Sequence, residues 1–479
     1  MPIDLRPIVP AAIVAFTGLI VLLAQAFTTR GNRAPSAALS LTGLAGAVIA
    51  VVVIARGQGR GAILGNSLAA DDFALFFQFL ILGIGILAVL LSPSYLRATR
   101  SDRGEYYALL LFSIVGMMGL ASCLELLSIF VALEIMSVAI YAMAGLHRDR
   151  VESQEAAVKY FITGAFSSAF FLYGVALLYG ASGSTTLPRI AAAIGRPDGG
   201  PGLALLGVGF LLVGFGFKVA AVPFHMWAPD VYEGAPTTVT ALMSAGVKAA
   251  AFAAFLRVFL QGVPALAGEW QPAVAVLAIV TMVIGNLGAL AQTNVKRLLA
   301  YSSVAHAGYI LTGVVAAPGR GTEAVLFYLV AYAAVNLGAF GALSSLARDD
   351  REPLSLADLS GLADRRPLLA AAMAVFLVSL TGIPVTAGFV GKFHLFNAAV
   401  GAGYVNLAVI GMLMSVVSAY YYLRVVVAMY MREPVGEDTW APIGVGAATA
   451  LTVATVVVLA LGVYPGPVLA WARAAAHSL

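Results

Sequence analysis

The chain has 479 residues, of which 61% are hydrophobic and only 10% charged, with a net charge of +4. That balance excludes a water-soluble globular domain, in which charged residues make up about a quarter. A single cysteine, Cys123, excludes an internal disulfide and a four-thiolate iron–sulfur site. The small net charge says little about partners, and no nucleic acid is expected among them.

Apolar runs of about 17 to 25 residues recur from one end to the other, each long enough to cross a hydrocarbon core of about 30 Å as a helix. Fourteen crossings are predicted: 8–27, 38–56, 73–92, 105–121, 124–146, 156–180, 203–227, 237–260, 273–292, 298–316, 323–347, 367–397, 403–431 and 443–464. The fourth and fifth are divided out of one long run. The first ends in Ala24, Gln25 and Ala26, like a signal-peptide cleavage site. It is nevertheless longer than a typical signal core and has no basic cluster before it. The linkers 183–202 and 348–366 are short enough to be connections within one membrane domain covering 1–479. With the N-terminus outside, the connections after odd-numbered crossings hold fourteen Arg or Lys and the other side seven, so both termini are expected outside a bacterial plasma membrane.

A weak internal repeat divides the all-α chain further. EAAVKYF at Glu155 resembles EAVLFYL at Glu323, and ALMSAGVKAAAFAAFLRVF around Lys248 resembles MLMSVVSAYYYLRVVV around Tyr420. Both pairs are offset by five crossings, an odd number, so a true repeat would have its second unit inverted relative to the first, the alternative being chance likeness between alanine-rich helices. The expected organisation is crossings 1 to 3 over 1–104, two inverted five-helix repeats (crossings 4–8 and 9–13) over 105–260 and 273–431, and a last crossing over 443–479. Pro223 interrupts the seventh crossing five residues after Lys218. Gly382, Pro384, Gly388 and Gly391 interrupt the twelfth just before Lys392. Each proline removes a donor and crowds the carbonyl four residues back, at Val219 and Leu380, which predicts discontinuous helices rather than simple kinks.

Five lysines occur, and Lys159, Lys218, Lys248 and Lys392 fall inside apolar runs, while Lys296 is placed in a loop. An ammonium near the bilayer centre costs roughly 2.5 to 3.5 kcal/mol on the mild insertion scale, so four of them need partners or a use. Buried lysine can release its proton where arginine cannot, which makes the row a candidate proton path. At 1.5 Å per residue, Glu134, Lys218 and Lys248 lie roughly 15 to 18 Å from one surface, near the midplane. Lys159 lies nearer that surface and Lys392 nearer the other. Glu134 is the natural partner of a neighbouring lysine, whereas Glu125 is read as interfacial. Lys159 has a second reading, a side chain that snorkels to the headgroups. His225, His306 and His394 could relay protons between lysines too far apart for direct transfer. His306 fits that role best by position, though it could equally be a core histidine bonded to a carbonyl, the reading that suits His394 better. No arrangement supports haem, and the glycines are explained by close helix packing.

The segment KVAAVPFHMWAPDVYEGAPTTVTALMSAGVKAAAF, from Lys218 to Phe252, resembles the antiporter-like membrane subunits of respiratory complex I, a family shared with Mrp-type cation/proton antiporters and membrane-bound hydrogenases. The likeness continues in VKRLLAYSSVAHAGY around His306 and SLTGIPVTAGFVGKF before His394, and covers nearly the whole chain. Lys392 stands where the M-type subunits typically have glutamate, and little chain follows the last crossing to make the lateral helix of the L type. The N type is therefore the nearest pattern.

The resemblance implies proton loading at Lys218 modulated by Glu134, transfer through Lys248 and His306, outlet at Lys392, and support from Lys159. It implies a proton-translocating subunit of an NADH:quinone oxidoreductase. NADH, FMN, iron–sulfur clusters and quinone would be handled by other subunits, with no cofactor or metal in this chain. Expected partners are the other complex I subunits, especially neighbouring antiporter-like and small membrane subunits, together with lipid and protons. A cation/proton antiporter subunit and a non-pumping scaffold remain alternatives.

Overall fold

The structure, a computed structural model, describes the chain except residues 1–5, 28–33, 58–61, 64–66, 197–200, 349, 353 and 435–441. Arg30, Arg33 and Arg60, three of the charges used for orientation, lie outside the described residues, as does part of the 183–202 linker.

The chain is almost entirely helical. It opens with α1 (Val9–Phe27) and α2 (Ala34–Arg56), followed by α3 (Asp72–Ala98), α4 (Glu105–Ser122), α5 (Leu126–Ala144) and α6 (Val151–Ser182). The short α7 (Leu187–Ile194) precedes α8 (Pro201–Val219) and α9 (Trp227–Gly234). In the eighth crossing, α10 (Thr237–Leu242) runs through a π-helical turn at Met243–Val247 into α11 (Lys248–Arg257). The second half contains α12 (Ala267–Leu290), α13 (Val295–Val315), α14 (Arg320–Ser344), the single turn α15 (Leu362–Arg365), α16 (Pro367–Thr381), α17 (Ala387–Gly401), α18 (Val405–Met431), α19 (Val445–Val463) and α20 (Gly466–His477). Ala62–Ile63 and Leu68–Ala69 make a two-residue antiparallel pair, β1 and β2.

Among the described residues, thirteen helices are long and apolar enough to cross a membrane, and α16 with α17 supplies the remaining crossing in two pieces. Every expected crossing is therefore present. Burial sorts them. The eighth crossing is buried all round, and α13 and α14 nearly so, whereas in α1, α2 and α18 only 28% of the residues are buried. A crossing buried on every side sits inside the bundle, and one with few buried residues faces lipid or another subunit. The C-terminus is tied down on one face: Ser478 Oγ accepts from the Phe73 amide and Leu479 O from Gln261 Nε2, both at 2.9 Å. This terminal face carries the starts of α3 and α14. The opposite face carries the starts of α6 and α13.

Both predicted breaks are real. After α8 the backbone turns at Ala220, whose φ is +59°, and restarts at Trp227. After α16 it turns through Gly382 (φ +88°) and Val385 (φ +72°) before α17 begins. Gly382 is needed for its left-handed conformation and for space, since a Cβ there would sit 3.0 Å from Lys392 Cδ. Gly388 lets the two half-helices cross, because its Cβ would lie 1.8 Å from the Ser379 carbonyl oxygen. Asp71 caps α3 by accepting from the Ala74 amide at 2.8 Å, and Asn294 caps α13 by accepting from the Arg297 amide at 3.1 Å. The Asn294 cap extends the tenth crossing to Val295, so Lys296 lies in its first turn, buried, and not in a loop.

Candidate functional site

The break in the twelfth crossing builds a cation site directly. With no helix continuing past Thr381, the amides of Gly382 and Ile383 serve Val378 and Ser379, and the carbonyls of Leu380 and Thr381 are left for another donor. Lys392 Nζ donates to Leu380 O at 2.8 Å, to Thr381 O at 3.0 Å and to Ser415 Oγ at 2.7 Å. Leu380 is the residue whose carbonyl Pro384 was expected to free. The negative end of the α16 dipole adds to the attraction, and the Tyr309 ring lies 4.7 Å from the ammonium.

Lys248 is placed by the π turn before it, which inserts a residue into the helical repeat and resets the face the lysine presents. Its ammonium donates to the Ser303 carbonyl and, at 2.6 Å, to Ser303 Oγ, with the Tyr332 ring 5.4 Å away. Tyr332 OH donates to the same Ser303 Oγ at 2.8 Å. One turn along α13, His306 shares a hydrogen bond of 2.5 Å with Tyr328 OH through Nδ1, and one of 3.1 Å with Tyr422 OH through Nε2. Tyr422 also bonds Ser302. The Tyr309 ring, 5.3 Å from the His306 ring, stands between it and Lys392. Lys248 and His306 thus lie in two separate hydrogen-bonded sets, Lys248–Ser303–Tyr332 and Tyr328–His306–Tyr422–Ser302, and among the described residues no side-chain hydrogen bond joins the two or links either to Lys392.

Lys218 is equally buried, but its ammonium donates to Ser137 Oγ at 2.8 Å and to Tyr141 OH at 3.2 Å, and the rings of Tyr141, Tyr160 and Phe217 surround it. Glu134, one turn before Ser137 on α5, accepts from Ser168 Oγ at 2.5 Å. The expected partners therefore share a neighbourhood without forming a direct ion pair, since two α5 hydroxyls hold the lysine. No side-chain hydrogen bond among the described residues joins Lys218 to Lys248.

Lys159 lies apart from Glu134. It pairs with Glu155 Oε1 at 2.5 Å and with Asp230 Oδ2 at 2.7 Å, on the opposite face and partly exposed. Arg297 donates to Asp230 and Glu233 at 2.7 Å each, and Asn294 Nδ2 reaches Glu233 at 2.7 Å. Beside this cluster Glu352 is buried, accepting from Tyr95 OH at 2.6 Å, Arg150 at 3.0 Å, Lys296 at 3.3 Å and Thr237. Burial pushes the Glu352 carboxyl up, but Lys296 and the Thr237 and Tyr95 hydroxyls outweigh it and hold it at about 2. His147, buried against Tyr95 with Nε2 3.0 Å from Ser101 Oγ, is pushed down by burial to about 4.

His225 sits at the first break, and its Nδ1 is buried without a protein partner. His394 points away from the row into a cavity near the terminal face. Glu125 accepts from Ser128 and Thr185 at 2.9 and 2.8 Å where α5 begins. Among the described residues, no group of three or more His, Cys, Asp or Glu could hold a metal ion. The sequence reading missed Ser137, Ser303, Tyr328, Tyr332 and Tyr422. A polar stripe at helical spacing, Ser302, Ser303 and His306 on α13 and Tyr328 and Tyr332 on α14, was the available signal.

Residues 123–418 match the family described as "NADH:quinone oxidoreductase/Mrp antiporter, TM". The NADH-quinone oxidoreductase subunit N of Trichlorobacter lovleyi is 44% identical over 475 residues, covering 99% of this chain and 97% of that one. Its counterpart of the same name in Chloroflexus aggregans is 44% identical over 474 residues, covering 98% and 96%. A chain in respiratory complex I from Thermus thermophilus with bound aureothin superimposes with a TM-score of 0.83 at 40% identity, covering 97% of this chain and 99% of that one. A chain of the Mrp complex from a Dietzia species gives 0.84 at 24% identity, covering 99% and 98%, and so shares the fold.

Proposed function

From the premise that this chain belongs to the NADH:quinone oxidoreductase/Mrp antiporter family of membrane subunits, we propose that it moves protons across the membrane as part of a complex I. The observation that carries the reading is the pair of hydrogen-bonded sets Lys248–Ser303–Tyr332 and Tyr328–His306–Tyr422 in the buried core, with Lys392 seated separately on the carbonyls of a broken helix. Each member can gain or lose a proton or pass one along a hydroxyl. Lys218 loads the row. A shift of α5 that brings Glu134 towards the Lys218 ammonium, or away from it, changes the lysine's proton affinity and drives the proton onward.

The redox steps belong to other subunits, which carry NADH, FMN, iron–sulfur clusters and quinone, and this chain contributes proton transfer. Neighbouring antiporter-like and small membrane subunits cover its exposed helices in a bacterial plasma membrane, with both termini outside. Within that arrangement, 105–260 and 273–431 act as the two inverted units. Replacing Lys218 with alanine is the test. The complex is expected to assemble, as judged by native electrophoresis, while coupled quinone reduction and pumping fall strongly. Normal pumping by an assembled variant sinks the proposal.

A further inference from the structure

His306 and Lys392 are neighbours with no hydrogen bond between them, and what lies between them is aromatic. Tyr309, one turn after His306 on α13 and fully buried, sets its ring 5.3 Å from the His306 ring and 4.7 Å from the Lys392 ammonium. Tyr328 of α14 also reaches both. Its hydroxyl is bonded to His306 Nδ1, and its ring lies so close to α17 that a Cβ on Gly391, next to Lys392, would meet it at 2.5 Å. The Tyr309 hydroxyl is turned to a different helix. It accepts from Asn286 Nδ2 of α12 at 3.3 Å, and Asn286 Oδ1 in turn accepts from Tyr421 OH of α18 at 3.0 Å. The first of these bonds is long for its type. Among the described residues no acceptor takes the Tyr309 O–H proton, although the side chain is wholly buried, where an unspent donor is costly.

We propose that Tyr309 is a positioning residue that opens and shuts the row. Its ring is a partition that stops protons slipping back from Lys392 to His306, and its hydroxyl, tethered by Asn286 and Tyr421, bridges the gap once the tether lets go. The assignment rests on the pumping reading and supplies what that reading lacks, since a row with no break would conduct in both directions and dissipate the gradient it builds. The ring face attracts the ammonium without offering it an acceptor lone pair, so Lys392 is held there without a path. Turned into the gap, the hydroxyl gives its unspent proton to the neutral Lys392 amine as one from the His306 set replaces it on the phenolic oxygen. One proton moves on, and no other bond changes. Tyr421 stands beside Tyr422, whose hydroxyl bonds His306 Nε2, so a single movement of α18 reaches both the tether and the histidine.

The test uses the intact complex in sealed liposomes and reads two quantities: proton pumping with NADH, and proton leak without it, driven by a potassium diffusion potential. Tyr309→Phe keeps the ring and drops the hydroxyl, so pumping is expected to fall severalfold while the leak stays at the wild-type level. Tyr309→Ala removes the ring, and the leak is expected to rise severalfold. Adding Lys248→Ala to it should return the leak to the wild-type level, because the protons run through the row; a ring that only fills space would not give that dependence. An unchanged leak in assembled Tyr309→Ala, or a raised leak that survives Lys248→Ala, overturns the partition. Wild-type pumping by Tyr309→Phe overturns the hydroxyl bridge. Should Tyr309→Ala fail to assemble, Asn286→Leu, which frees the tyrosine, takes its place: a raised leak is expected, and an unchanged one overturns the proposal. Lys218→Ala, run alongside, separates the two readings. Normal pumping there overturns the pumping reading itself, whereas lost pumping there leaves it standing whatever the Tyr309 variants do.

Discussion

The buried lysines differ in what holds their ammonium groups, and their substitutions should differ accordingly. Lys218 is held by hydroxyls, so arginine there keeps the charge but cannot release a proton; Lys218→Arg should assemble and still lose coupled pumping in vesicles. Lys392 is held by carbonyls. Glutamate can titrate beside them and should keep part of the pumping that leucine abolishes; equal activity of Lys392→Glu and Lys392→Leu would make this lysine an anchor. Glu352 calls for a stability measurement. Its carboxyl sits at about 2 against an unperturbed 4.5, worth about 3 kcal/mol at 1.36 kcal/mol per unit. Since the folded value is the lower one, that contribution is complete above 4.5 and is lost as the pH falls towards 2. His147 acts in the same direction earlier, because a histidine held at about 4 resists the proton that the unfolded chain accepts below 6.5. The melting temperature of the detergent-solubilised protein should therefore decline as the pH drops below 6.5. Glu352→Gln should lower the stability at neutral pH by about 3 kcal/mol, having removed the carboxylate beside buried Lys296, whose ammonium then keeps the Ala235 carbonyl.

At the scale of elements, the parts legible in the sequence were those with a large energetic signature. A lysine in an apolar run is costly and a proline in one removes a hydrogen bond, so Lys218, Lys248, Lys392 and both breaks stood out. Tyr328, Tyr332, Tyr422, Ser137 and Ser303 did not, because serine and tyrosine are cheap in membrane helices and only tertiary packing turns them towards the lysines. Lys296 read as a loop residue because the apolar run begins at 298, two residues after it, while its pairing with Glu352 across 56 positions and that of Lys159 with Asp230 across 71 were hidden from the sequence. The π turn before Lys248 leaves no mark in composition. The element with the sharpest consequence is the break at Gly382. Gly382→Ala forces a left-handed conformation on a residue with a Cβ and crowds Lys392. Pumping is expected to drop in assembled complex although no titratable group has changed; full activity would show that the Lys392 site tolerates displacement.

For the whole molecule, the polar groups form a graded series from face to face. Lys159, Asp230, Arg297 and Glu352 lie on the opposite face, Lys218, Lys248 and His306 deep inside, and Lys392 and Glu323 towards the termini. The even number of crossings puts both termini on one side, and the arginine-rich connections on the other should be cytoplasmic. A reporter active only in the cytoplasm, fused after Leu479, should stay silent; activity would reverse the direction of the path. The central claim is that protons travel through this chain by the Lys248 row. Its most direct measurement is proton translocation per NADH oxidised by the complete complex in sealed vesicles, wild type against Lys248→Ala, with and without sodium. The expected result is sodium-independent translocation by the wild type and a marked loss in an assembled variant. Undiminished translocation by the Lys248→Ala complex, or wild-type translocation that requires sodium, would contradict it.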